Sequence, residues 1–459
     1  MKAKKPTSLT VDAKITKTGV DIYLNKQKFP ITYPVKIWNA YSKKNKEILK
    51  DTLAHSSTFY IPQILRIPEI TYKTARTMAE TFFYKNGIYD IPYCANVDEK
   101  SSTEYLKFFF QTRYLFEDNM IKTPDKINLQ KNSKKKRRAI IPFSFGKESM
   151  LSCVLAQKLG IEPILVSIVD PSHKYEHKHK KPLIDAFLKE TGLTVHTIEY
   201  NPGWFWEGRQ WGIQTELGWG LHVTEYQILT LPFLSYFDAD YVIVGNEQSC
   251  KDTYIDKEGV FIYRAGYDQY KDWTPQQGLL LSMLSGKKVE VMSFVEPLYE
   301  IAETKLLQEE FSEYGKYQMS CFALEEGAKN RRWCQNCGKC AYFFPLFTAF
   351  NIDTKKLGFT ENLFDKKHAH LYDKFFIRKK GTASYGSQGE LATAFYLSMK
   401  NGYEGTSIDR FRKDLLKKFN ANKKEWYKEY LGVHDTFNIL PEYKTKLMNL
   451  YKRVLKDFA

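Results

Sequence analysis

No apolar run in this 459-residue sequence approaches the ~20 residues a helix needs to span a bilayer. A membrane segment is therefore not expected. The opening MKAKKPTSLT has lysines with no apolar stretch behind them, which is not a secretory signal. A cytoplasmic protein is expected. Neither GxxxxGK[ST] nor GxGxxG occurs, so a Walker loop and a dinucleotide-binding turn are excluded. Acidic residues are in short supply, 53 against 69 Lys and Arg, and the formal net charge is +16. That surplus favours nucleotides, phosphorylated metabolites or RNA as partners, although a solvated lysine-rich surface has the same composition. Cysteine is sparse and odd in number, seven in all. Without an export signal this speaks against a disulfide framework.

What is present is ordinary for a globular chain: 43% hydrophobic and 27% charged residues, with aromatics high at 15%. The length predicts two to four domains. Residues 1–133 mix strand-like runs (VDIYL, FPITYPVKIW) with a helical stretch (TYKTARTMAETFF) and carry no catalytic motif. The basic run KNSKKKRR at 131–138 is either an RNA contact or an exposed lead-in to a strand. From residue 139 strands and helices alternate. AIIPFS, PILVSIVD, LTVHTIEYN and YVIVGNE read as strands, with SMLSCVLAQKLG, KPLIDAFLKETG and HVTEYQILTLPFLSYFDA as the helices between them. This predicts a parallel sheet flanked by helices. Right-handed crossovers would then bring Ser144–Ser149, Asp170, Tyr200, Asn201, Asn246 and Glu247 to one edge.

The stretch IIPFSFGKESML places a Ser-Phe-Gly-Lys-Glu-Ser turn where a strand hands over to a helix. Backbone N–H groups and the helix N-terminus there make a socket for an anion. The turn resembles the SGGxDS turn of the PP-loop ATP pyrophosphatases, matching at Ser144, Gly146 and Ser149. Phe145 stands in a glycine position and Glu148 in the aspartate position. GNEQS (245–249), DQYK (268–271), SC…WCQNCGKC (320–340) and YGSQGE (385–390) follow in order. Together they resemble the ATP-dependent UDP-N-acetylmuramoyl-L-alanyl-L-glutamate epimerases over roughly 139–395. GWGLHVTE (218–225) matches that family only loosely.

The resemblance implies ATP split to AMP and pyrophosphate, and an acidic, nucleotide-linked substrate activated by adenylation. It implies that Ser144, Phe145, Gly146, Lys147, Glu148, Ser149 and Asp170 hold ATP. Glu148, with Glu247, would position Mg²⁺. Glu247, Lys271 and His222 are the candidates for proton transfer. Ser149→Ala and Lys147→Ala are each expected to lower turnover with the fold intact. The alternative is a PP-loop enzyme that adenylates RNA or a deazapurine before amine or sulfur attack, a reading that the positive charge favours.

Cys321, Cys334, Cys337 and Cys340 supply four soft ligands within twenty residues, a set suited to tetrahedral Zn²⁺, with an iron–sulfur cluster as the rival. The expected organisation is an α+β domain at 1–133, a PP-loop α/β domain at 134–318, a zinc-clipped segment at 319–380 and a helical region at 381–459.

Overall fold

The computed structural model describes residues 4–125, 137–264, 266–377 and 386–458. Its strands are β1 (Thr10–Ile15), β2 (Gly19–Leu24), β3 (Gln27–Thr32), β4 (Glu69–Arg76), β5 (Arg113–Ile121), β6 (Arg138–Pro142), β7 (Glu162–Val169), β8 (Val195–Tyr200), β9 (Tyr241–Ile243), β10 (Thr253–Ile255), β11 (Phe261–Tyr263) and β12 (Glu290–Met292). Ten of them form one sheet in the order β12-β9-β6-β7-β8-β3-β2-β1-β4-β5, and β10 and β11 form a separate hairpin. β12, β9, β6, β7 and β8 run parallel to one another, as do β1, β4 and β5; β3 joins β8 antiparallel. The architecture is α/β with a mostly parallel sheet, helices on its faces and a helical C-terminal region. No helix among the described residues is long and apolar enough to cross a membrane.

The strand–helix alternation from 139 onward holds. The helix Lys147–Lys158 follows β6, and Glu176–Thr191 follows β7, ending on Gly192 at φ +71°. The third expected helix is two, His222–Leu229 and Leu231–Tyr236, with Pro232 in the first turn of the second.

Two expectations in the N-terminal region need correction. TYKTAR is not helical: it is strand β4, and helix begins only at Glu80. Ile70, Tyr72 and Thr74 alternate inward, so tertiary pairing between β1 and β5 prevails over local spacing. YPVKIW is not extended either, because Val35–Ala40 is a short helix that buries Ile37 and Trp38.

The boundary at residue 133 does not divide the sheet. Ile31 and Thr32 of β3 pair with Tyr200 and Glu199 of β8. Period-two alternation then sends side chains to two cores. Ala139 and Ile141 of β6 pack with the C-terminal helices, while Ile140 packs with the N-terminal residues. The sheet thus carries a core on each face, one built with the C-terminal helices and the other with N-terminal residues and the helices His222–Leu229, Leu231–Tyr236 and Thr274–Ser285. Residues 131–136 of the basic run lie outside the described residues. Its last two are anchored: Arg137 donates to the Tyr443 hydroxyl, and Arg138 pairs with Glu162 at 3.0 Å.

The chain runs outward from β6 to β7 and β8, then returns to β9 and β12 on the other side of β6. Connections therefore diverge above the C-terminal ends of β6 and β9, which is where open α/β sheets form ligand crevices.

Candidate functional site

The Ser144–Ser149 turn lies at that divergence. Gly146 is the N-cap of the helix Lys147–Lys158. The turn is closed by its own hydroxyls. Gly146 N donates to Ser144 Oγ at 3.2 Å, Ser144 N donates to Ser149 Oγ at 3.3 Å, and Ser149 Oγ donates to Gly146 O at 3.0 Å. A Cβ on Gly245 would meet Glu148 Cβ at 2.6 Å, so glycine lets the end of β9 approach the turn.

Phe145 is the residue that the resemblance sets against a glycine. Its φ is +61°, the left-handed conformation that glycine adopts without strain. The ring is fully buried, 4.8 Å from Phe143 and 5.9 Å from Phe187 between centroids. Burying a phenylalanine outweighs a backbone penalty of about 1–2 kcal/mol. Phe145→Gly is therefore expected to lose about 2–3 kcal/mol of stability, the ring's contribution less the relieved strain. Urea denaturation measures it, and an unchanged midpoint would count against this account.

The turn opens onto a cavity of about 1220 Å³ whose near wall includes Ser144, Gly146, Glu148, Glu247, Glu300 and Lys339. Lys147 is not on that wall. Its side chain is wholly buried, with Nζ 2.6 Å from Glu300, 3.4 Å from Glu303 and paired with Glu148. Burial alone would lower its pKa, but those carboxylates outweigh it and hold it well above the ordinary value. This corrects the expectation that Lys147 reaches a phosphate. Lys339 and Lys180 are the lysines that line the cavity there, Lys339 with its Nζ 4.1 Å from the centroid of the Phe322 ring and Lys180 2.6 Å from Glu176.

Carboxylates dominate this end. Burial pushes Glu247 well above the usual carboxylate range, with Glu300 adding and Lys147 opposing. Its Oε2 accepts from Ser249 N at 2.9 Å. Burial likewise raises Glu390 to about 7, and its Oε1 accepts from Ile301 N at 2.9 Å. Glu303 is buried and raised as well, by burial first. Acids held this close share protons, and a divalent cation would relieve them. Among the described residues, however, no three carboxylates converge as tightly as the four cysteines do. A cation here would need phosphate oxygens to complete its shell, which is the usual situation for Mg²⁺.

Three other candidate residues lie off the cavity wall. Asp170 accepts from Ser172 N and Oγ at 2.8 and 2.7 Å and backs against Gly203. Lys271 places Nζ 4.4 Å from the centroid of the Phe437 ring. His222 donates from Nδ1 to the Trp219 carbonyl and sits among Trp206, Trp219 and Tyr226. Burial pushes its pKa down to about 4. Of the proton-transfer candidates, only Glu247 faces the cavity. Glu300, Glu303 and Tyr342 were not singled out from sequence. Two glutamates at the start of a helix (Glu300–Lys305) read as ordinary N-terminal acids, so no signal separated them.

The cysteines do come together. All four sulfurs lie within 4.8 Å of one another, with Cys334 Sγ 3.7 Å from Cys340 Sγ. Backbone N–H groups point at them: Ala323 N and Cys334 N donate to Cys321 Sγ at 3.4 Å, Gln335 N to Cys340 Sγ at 3.3 Å, and Cys340 N to Cys337 Sγ at 3.5 Å. Such donors stabilise thiolates. The set is compatible with a zinc ion. Cys321 also lines the cavity, so the cysteine cluster and the sheet-edge cavity share a wall.

No family model and no curated protein sequence matches this chain.

Proposed function

We propose that the sheet-edge cavity binds ATP with Mg²⁺ and activates a carboxylate by adenylation. The observation that carries this reading is the Ser144–Ser149 turn at the divergence of β6 and β9, opening on a large cavity with an excess of buried carboxylates. The resemblance to the PP-loop pyrophosphatases and to the muramoyl-dipeptide epimerases supports it. In this reading the helix N-terminus and Ser144 hold the β- and γ-phosphates. Glu148 would hold the cation. An oxygen of the substrate carboxylate attacks the α-phosphorus and pyrophosphate leaves. Loss of the carboxylate's charge makes the α-proton more acidic. Glu247, the one proton-transfer candidate on the cavity wall, would accept it. Reprotonation on the other face and hydrolysis release AMP and the inverted acid. The particular acid follows from the resemblance: the terminal glutamate of UDP-N-acetylmuramoyl-L-alanyl-L-glutamate.

Incubation of that compound with protein, ATP and Mg²⁺ in D₂O is expected to add one deuterium and to yield AMP and pyrophosphate in equal amounts. Mass spectrometry and phosphorus NMR read the two results. ADP with orthophosphate would sink the adenylation reading. AMP formed only with RNA or a deazapurine acid would favour the alternative, to which the +16 net charge points. We also propose that Cys321, Cys334, Cys337 and Cys340 hold zinc as a closed structural site.

A further inference from the structure

The first 133 residues carry no motif, yet they build part of the cavity. Its far end is formed by Tyr93, Asn96 and Val97, at the end of the helix Glu80–Val97, together with the β10–β11 hairpin. The hairpin belongs to neither side of the main sheet. It is strapped to the N-terminal region by two carboxylates. Asp256 Oδ2 accepts from Ser102 Oγ at 2.6 Å and from Asn96 Nδ2 at 3.1 Å. Glu258 Oε2 accepts from Ser101 Oγ and Thr103 N, both at 2.9 Å.

These bonds occupy the acids of the hairpin. The other Asp256 oxygen accepts from Glu258 N and Val260 N within the turn. The cations are placed differently. Arg264, following β11, lines the cavity with its side chain 34% exposed. It gives one N–H to Asp252 at 3.1 Å and another to Gly386 O at 3.1 Å. A guanidinium has five such donors in a planar fork suited to carboxylate or phosphate. Lys257, exposed on the hairpin, lines the same end, as do the half-buried rings of Tyr93 and Tyr254. The cavity, at about 1220 Å³, exceeds the roughly 300–1,000 Å³ that one small ligand usually fills.

We infer that the far end is an acceptor subsite for an elongated acid with a second anionic group. Arg264 and Lys257 hold that group, Tyr93 and Tyr254 flank the segment beyond it, and the reacting carboxylate reaches the sheet edge. The N-terminal region is thereby a substrate-binding wall. The inference rests on the adenylation reading for its orientation, and its test is separable from that reading.

Hydrogen exchange on the full chain, with α,β-methylene ATP and UDP-N-acetylmuramoyl-L-alanyl-L-glutamate added singly, addresses it. The nucleotide analogue is expected to protect 144–149 and 245–249, and the acid to protect 93–97 and 253–264. Arg264→Gln is expected to weaken binding of the acid about tenfold or more, the loss of one charged hydrogen-bonding partner, with the analogue's affinity unchanged. Lys257→Ala, on an exposed residue, should shift it in the same direction without risk to the fold. Protection of the far end by the analogue alone would overturn the subsite. So would failure of wild type to bind the acid, or full affinity in both variants. AMP production that is insensitive to Arg264→Gln would leave adenylation standing and the subsite lost. Arg264-dependent binding with no AMP would do the reverse.

Discussion

Lys147→Ala is expected to lose several kilocalories of stability, and this loss, more than any direct contact with phosphate, to abolish the proposed adenylation. The ammonium is fully buried, 2.6 Å from Glu300 and 3.4 Å from Glu303, and paired with Glu148. Removing one member of a buried ionic network leaves the others uncompensated, typically costing about 3–5 kcal/mol. The orphaned carboxylates would respond by binding protons. Their folded pKa values would rise above the unfolded ones, so the variant keeps most stability at low pH and loses it as pH rises through the raised values. Thermal denaturation at pH 5 and pH 8 should therefore show a deficit that grows with pH. Adding Glu300→Gln should restore part of it, since one fewer charge is left unpaired. A Lys147→Ala protein with a wild-type midpoint at pH 8 would remove the network from the account. Ser149→Ala is the contrasting case. It removes one hydroxyl from the turn, which contributes about 1 kcal/mol, so its fold survives while its turnover falls.

The β6–β9 core was legible because strand and helix periods differ and each element there follows its own. The glycine stop at Gly192 and the small turn at Gly146 were written in single residues. β4 was not legible. TYKTAR has helix-compatible spacing, and only pairing with β1 and β5 makes it a strand. Nor could sequence show that β3 pairs with β8, because a register between Ile31 and Tyr200, 169 residues apart, leaves no local trace. At the site, the turn and the cysteines were legible because their residues are neighbours in sequence. The Lys147 network was not, since Glu300 and Glu303 arrive from 153 and more residues away. His222 and Lys271 were misplaced for a related reason. A histidine or lysine beside a motif is equally well spent against aromatic rings, and here both are.

Replacing Cys334, Cys337 or Cys340 with serine is expected to cost the most of any single change in the chain. In a tetrahedral zinc site with Zn–S of about 2.3 Å, neighbouring sulfurs lie about 3.8 Å apart. The Cys334–Cys340 separation of 3.7 Å matches a single ion. A [4Fe–4S] cluster gives each cysteine its own iron atom and a [2Fe–2S] cluster divides the four between two irons, and either spreads the set of four sulfurs further. All four here lie within 4.8 Å. Structural zinc contributes roughly 10 kcal/mol or more of apparent binding energy, comparable to the whole net stability of a domain. The loss would not stay local. Cys337 caps the helix Gly338–Thr348, which carries Lys339, Tyr342 and Phe343 onto the cavity wall. A serine variant should therefore lose its metal, expose 320–345 to protease and bind ligand poorly at the sheet edge. Elemental analysis of the purified wild type should find about one zinc per chain. Brown protein containing iron would replace zinc with the cluster. Protein free of both metals that still resists protease at 320–345 would mean the four thiols are core residues, and the cavity wall would then owe its shape to packing alone.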